Sequence, residues 1–305
     1  MSGINIEKIP YDADVPMVDV MGGNSRIEAK ILDHGFVALI DTMPRFVPKG
    51  QTADHAIPQA ARVSYGEGTK KVSENRGLIR YLMRHRHTTP FEMVETKWHC
   101  KMPIFVARQW IRHRTANVNE YSGRYSVMPD EFYRPKIDDV KVQSKSNKQG
   151  GGETLDSATA QEFLNHLDKL TGESYRTYTE FLDKGVAREQ ARIILPSSNY
   201  TEWYWKIDLH NLFHFLGLRM DSHAQKEIRD YADAMGEMTK EIAPIAYEAF
   251  EDYRLNSVSL SSLEQKVLQK VVDSRRNVSD VASELITNKR ERAECVDKVE
   301  RIVHN

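Results

Sequence analysis

Apolar residues take alternate positions through MVETKWHCKM (93–102): Val94, Thr96, Trp98, Cys100 and Met102 fall on one side, Glu95, Lys97, His99 and Lys101 on the other. Successive strand side chains point to opposite faces, so the pattern predicts a half-buried antiparallel strand with Cys100 on its core face. AKILDHGFVALIDTM (29–43) predicts two short strands around Asp33, His34 and Gly35, and NYTEWYWKI (199–207) predicts another. Elsewhere the period is helical. In SENRGLIRYLMRHRH (73–87), Ser73 stands in the cap position and Leu78, Ile79, Leu82 and Met83 share a face. In DLHNLFHFLGLRM (208–220), Asp208 caps a stripe of Leu209, Leu212, Phe213 and Leu216.

Shorter signals complete the pattern. IPQAARVSY (57–65) predicts a short helix ended by Gly66 and Gly68, and PIFVARQWI (103–111) a helix with Pro103 in its first turn. REQARIIL (188–195) predicts a helix stopped by Pro196. A long helical stretch over 154–184 is expected to break or bend near Gly172, with Gly185 as its cap. Another runs from Ser222 to Tyr253, with Asp221-Ser222 at its start and a kink at Pro244. KIDDVKVQSKSNKQGGGE (136–153) reads as a polar loop, and residues 1–29 as an irregular lead-in. Residues 255–305 carry short amphipathic pieces (Leu263, Val267, Leu268, Val271; Val281, Leu285; Val296, Val299, Ile302, Val303) and predict a small helical appendage.

Charge narrows the function classes. The 305 residues hold 43 Lys plus Arg against 44 Asp plus Glu. That balance argues against a surface built to coat nucleic acid, so any cationic site must be a local pocket. The two cysteines, Cys100 and Cys295, point to a reducing compartment and no disulfide framework. MSGINIEKIPYDADVPMVDV has the acidity of neither a signal nor a transit peptide, and no apolar run approaches the ~18 residues of a membrane span. A cytoplasmic location is expected.

Against this balance RHRTANVNEYSGRYS (112–126) stands out: three arginines and one histidine face a single acid, Glu120. On a helix Arg108 and Arg112 share a face, and such a like-charge pair costs ~0.2–0.5 kcal/mol. Arg114, Arg124, Asn117, Asn119, Ser122 and Gly123 add donors and a flexible point. Guanidinium groups bind phosphate bidentately, so the segment reads as an anion pocket. His210 and His214 have the i, i+4 spacing of a helical metal pair, but no HExxH accompanies them; contact with a neighbour or ligand is the simpler reading, and no metal site is assigned. Arg219 ends the same helical stretch, where it can serve the dipole or project into a cleft. No nucleophile motif, P-loop or dinucleotide fingerprint is present; GEGTKK (66–71) fails the P-loop spacing. RNA binding by the arginine–tyrosine segment and a hydrolase built on His210 and His214 are the rival readings.

Arg112-His113-Arg114, seven residues, then Ser122 resembles the signature of the flavin-dependent thymidylate synthases. HTTPFE (87–92), PIFVARQW (103–110), AREQARIILP (187–196) and LRMDSHAQKEI (218–228) resemble further blocks of that family, in family order. The resemblance covers roughly Ile31 to Tyr253. With the pattern above it implies an α+β fold: a central, mostly antiparallel sheet flanked by long helices, with a small C-terminal helical extension. It divides the chain into a lead-in (1–29), a catalytic domain (30–254) and the extension (255–305).

The resemblance also implies chemistry: dUMP becomes dTMP with carbon from 5,10-methylenetetrahydrofolate and electrons from NADPH through FAD. The flavin then does work for which other thymidylate synthases use a cysteine, and Ser122 is a phosphate ligand rather than a nucleophile. It assigns dUMP to Gln109, Arg112, Glu120, Ser122, Gly123, Arg124, Arg192 and Arg219, and it gives Arg219 the catalytic role of helping to ionise uracil N3. FAD is assigned to Thr89, Arg112, His113, Arg114, Glu120, Asp208, His210 and His214, and folate stacking to His87. Asp208 departs from the family pattern, and an acid near FAD phosphates would repel, so it is expected to cap its helix, use its backbone or face the adenine end. Family members are homotetramers whose active sites lie at subunit interfaces, with no nucleic acid or membrane among their partners.

Overall fold

The computed structural model describes residues 16–63, 75–145, 150–274, 276–287 and 289–304. Ser73, Gly66, Gly68, GEGTKK and the first part of the lead-in lie outside these. The chain divides into Met1–Phe250 and Glu251–Asn305.

In the first unit β1 (Met17–Asp19) pairs with β4 (Phe46–Pro48), so the lead-in is not irregular throughout. A five-stranded antiparallel sheet has the order β2 (Ile27–Ile31), β3 (Gly35–Met43), β5 (Glu95–Pro103), β9 (Tyr200–Asp208), β6 (Asn117–Glu120). The alternation on β5 is realised: Thr96, Trp98, Cys100 and Met102 are fully buried. Register aligns Val37, Cys100, Trp203 and Glu120 across four strands, an apolar row that ends in a carboxylate.

The inner face of the sheet is covered by α3 (Ile104–Trp110), α6 (Leu209–Arg219) and α7 (Lys226–Ile242). Trp110 joins these layers, its ring 5.6 Å from Trp203, 5.4 Å from Trp205, 4.9 Å from Phe215 and 5.7 Å from Tyr231. α1 (Ala56–Val63), α2 (Asn75–Arg84) and α8 (Pro244–Phe250) pack beside them. Buried Asp54 holds the start of α8 by accepting from the backbone N–H groups of Ile245 and Ala246, each at 2.8 Å.

Several expectations are corrected. Pro103 ends β5 and caps α3 rather than opening its first turn. The polar loop at 136–153 contains a hairpin of β7 (Lys141–Gln143) and β8 (Gly151–Thr154). α4 (Ser157–Asp183) runs unbroken through Gly172, where solvent surrounds the missing side chain and the cost of glycine is only about 1 kcal/mol. Its end matches expectation, Gly185 taking φ +89°. After α5 (Arg188–Ala191) and β9, Gln225 rather than Asp221 or Ser222 caps α7. Pro244 begins a separate helix instead of kinking one.

The second unit has α9 (Ser262–Ser274), α10 (Val278–Leu285) and α11 (Lys289–His304). They close on Val267, Val281, Ala282, Ile286, Cys295 and Val299, while Leu263 and Ile302 are exposed. Among the described residues no helix is long and apolar enough to cross a membrane.

Candidate active site

α3 ends at Trp110, and the His113 N–H donates to the Trp110 carbonyl at 3.0 Å, closing a turn that carries Arg112 off the helix. Arg108 and Arg112 therefore do not share a helical face. Residues Asn117–Glu120 then pair with the outer edge of β9, so part of the arginine-rich segment is strand β6. The Arg112–Arg114 turn and this edge strand form one rim of the site.

The other rim comes from the end of α6. Arg219 Nε donates to His113 Nε2 at 3.0 Å, and its Nη2 donates to the Gln109 carbonyl at 3.3 Å. Burial, the Arg219 guanidinium and His214 lower the His113 pKa to about 4, so the ring is neutral near pH 7 and accepts at Nε2. The His214 ring lies 5.8 Å from that of His113. Gln109 also binds the Gln225 side chain through its amide. Sequence reasoning missed Gln225, although it lies within the LRMDSHAQKEI block that singled out Arg219.

The Ser122–Arg124 turn is seated on α4: the Met128 N–H donates to the Tyr178 hydroxyl at 3.0 Å. Gly123 is buried, and a Cβ there would lie 2.8 Å from Met128 Sδ and 3.3 Å from Arg192 Cδ. Glycine thus lets the Arg192 side chain lie against this turn, joining two sites 69 residues apart in a single rim. Arg124 meets Glu189 at 3.3 Å in an exposed pair of the kind worth about 0–1 kcal/mol. Glu120 accepts from the Thr201 hydroxyl at 2.7 Å. Among the described residues Arg108, Arg112, Arg114 and Arg192 form no ion pair.

Asp208 accepts from the Asn211 backbone N–H at 2.9 Å and its Nδ2 at 2.7 Å, the helix cap expected of it. His210 is half-buried and His214 exposed on α6. Among the described residues no group of three His, Cys, Asp or Glu side chains could hold a metal ion. Thr89 opens a turn, Thr89–Met93, that packs against α6. The ring of His87 stacks on Tyr81 at 5.9 Å; no described hydrogen bond ties His87 or the Thr89 side chain to the arginine rim.

Residues 39–245 match the family model of the thymidylate synthase complementing protein. A flavin-dependent thymidylate synthase of Dictyostelium discoideum is 60% identical over 302 residues, 99% of this chain and 95% of the relative. The chain belongs to the flavin-dependent thymidylate synthase family. Another member, from Wolbachia pipientis wMel, is 53% identical over 245 residues, 80% of this chain and 84% of its own. Among solved structures, the UMP/dUMP methylase PolB of Streptomyces cacaoi bound with 5-Br dUMP superposes with a TM-score of 0.64 at 31% identity, covering 74% of this chain and 99% of that one. Within this family frame, Gln109, His113 and Arg219 form one joined group, and Gly123 with Arg192 forms a second.

Proposed function

We infer that the chain converts dUMP to dTMP by reductive methylation, with 5,10-methylenetetrahydrofolate as carbon donor, FAD as flavin and NADPH as reductant. The observation that carries this reading is Arg219, a half-buried cation fixed against His113 and Gln109 at the mouth of the arginine motif. Among the described residues its Nη1 has no partner, which leaves a directed donor for a uracil ring. A fixed cation beside N3 stabilises negative charge developing there and raises the nucleophilicity of C5. Cys100 offers no rival route: it is buried, and burial pushes its thiol pKa far above the ordinary range.

The donor set suits a nucleotide and a flavin dinucleotide. Among the described residues Arg112, Arg114 and Arg192 are exposed cations without carboxylate partners, the state in which guanidinium groups take phosphate. We assign Arg192, Ser122, Gly123, Arg124, Gln109, Arg112 and Glu120 to dUMP. We assign Arg112, His113, Arg114, Glu120, Thr89 and the Asp208–His210–His214 face of α6 to FAD, and His87 to the folate. The Asp208 carboxylate is turned to Asn211 at the start of α6, where the positive end of the helix offsets part of its charge. A bound FAD supplies reducing equivalents and passage of the one-carbon unit, while the chain's residues bind, orient and polarise.

The working form in this reading is a homotetramer in the cytoplasm, its active sites at subunit interfaces, with residues 30–254 as catalytic domain and 255–305 as extension. Tyr125 and Ile193, beside Arg124 and Arg192, are each 78% exposed, which supports a neighbouring subunit closing over this rim. The test supplies purified protein with FAD, dUMP, methylenetetrahydrofolate and NADPH, omitting each in turn, and measures dTMP by chromatography. Formation that requires all four is expected, with a shift in flavin absorbance on adding dUMP. A colourless protein that forms no dTMP overturns the reading.

A further inference from the structure

Thr201 is 4% exposed and is in register with Met102, which is fully buried. It shares the inner face of β9 with Trp203 and Trp205. Its hydroxyl donates to Glu120 Oε1 at 2.7 Å. Glu120 lies on edge strand β6 opposite Trp203, so its side chain emerges on the same face, at the polar end of the row through Val37 and Cys100. The pairing continues one residue further, where the Tyr121 N–H donates to the Glu202 carbonyl at 2.7 Å.

Glu120 is the one acid in a segment holding Arg112, Arg114 and Arg124. An exposed glutamate in that company is expected to swing onto an arginine, which would neutralise a phosphate ligand and occupy its own carboxylate. No such pair forms among the described residues; Arg124 takes Glu189 and Glu120 takes the buried hydroxyl. A neutral donor on a rigid central strand fixes one carboxylate oxygen without drawing in a guanidinium. The second oxygen is left to accept from an O–H or N–H of the nucleotide.

We propose that Thr201 is the positioning residue that holds Glu120 for nucleotide binding and keeps it off the neighbouring arginines. This rests on the assignment of Glu120 to dUMP above. Without this bond the carboxylate is free to swing onto an arginine, which weakens dUMP binding roughly tenfold. Thr201→Val removes the hydroxyl at nearly constant volume, and Thr201→Ser keeps it.

The experiment measures dUMP binding by titration calorimetry on the flavin-loaded full chain, with dTMP formation and thermal midpoint in parallel. The set is wild type, T201V, T201S, E120Q and the double variant T201V/E120Q. The expected result is a roughly tenfold loss in T201V, recovery in T201S, and no further loss when T201V is added to E120Q. Unchanged dUMP binding in T201V overturns the proposal, as do equal losses in T201S and T201V or independent losses in the double variant. A lower thermal midpoint in T201V with dUMP binding intact marks the hydroxyl as purely structural and also overturns it. Wild type that binds dUMP and forms dTMP leaves the functional reading standing in each of those cases; wild type that does not bind dUMP removes both.

Discussion

Arg219 and His113, 106 residues apart in sequence, share a hydrogen bond of 3.0 Å from Nε to Nε2. The bond exists only while His113 is neutral, because a protonated ring has no lone pair to accept with and repels the guanidinium.

Stability should therefore fall with acid in a defined window. An unfolded histidine titrates near 6.5, whereas His113 in the fold titrates at about 4. Between those values the unfolded chain binds more protons, so His113 contributes a loss of stability as pH falls from above 6.5 towards 4, levelling off below. Thermal midpoints of wild type and His113→Gln across this range check it: the histidine's share of the slope should disappear in the variant.

Arg219→Ala should abolish dTMP formation while the protein stays folded and yellow. Arg219→Lys should recover little, because an ammonium cannot reach His113, Gln109 and a ligand from one planar fork. Turnover and bound-flavin absorbance decide; retained turnover in the alanine variant removes Arg219 from the chemistry.

Gly123→Ala should cost stability and nucleotide affinity together. The added Cβ meets Met128 Sδ at 2.8 Å and Arg192 Cδ at 3.3 Å, so one of those side chains must shift. Overpacking of this kind costs about 1–3 kcal/mol. The expected outcome is a lower thermal midpoint and a raised KM for dUMP.

Cys100→Ala should keep full turnover. The thiol is buried and held protonated, and its loss leaves a small cavity costing on the order of 1 kcal/mol. Iodoacetamide on the native wild type should likewise leave dTMP formation unchanged; inactivation by modification at Cys100 would reinstate a cysteine route.

How far the fold could be read from sequence depended on where each signal resided. Strand β5 was legible because one face packs against tryptophans and the other meets water, which imposes the alternation. Strand β6 was not: its residues NVNE are all exposed and contain one β-former, and the strand exists because β9 offers an unpaired edge. The unbroken α4 was hidden by Gly172, whose local penalty is small beside the packing of a 27-residue helix. At the site, the arginine excess pointed to an anion from composition alone. The seating of Arg192 against Gly123, and of Arg219 against His113, depends on tertiary proximity and left no local trace.

Trp110, wedged among Trp203, Trp205, Phe215 and Tyr231, stands two residues before Arg112. The cationic turn thus springs from a buried aromatic cluster of the inner layer. If these arginines take the dUMP phosphate as proposed, the backbone has little freedom left to surrender when the anion arrives, so more of the attraction between guanidinium and phosphate remains as affinity. Preorganisation of this kind makes the aromatic core a silent contributor to nucleotide binding.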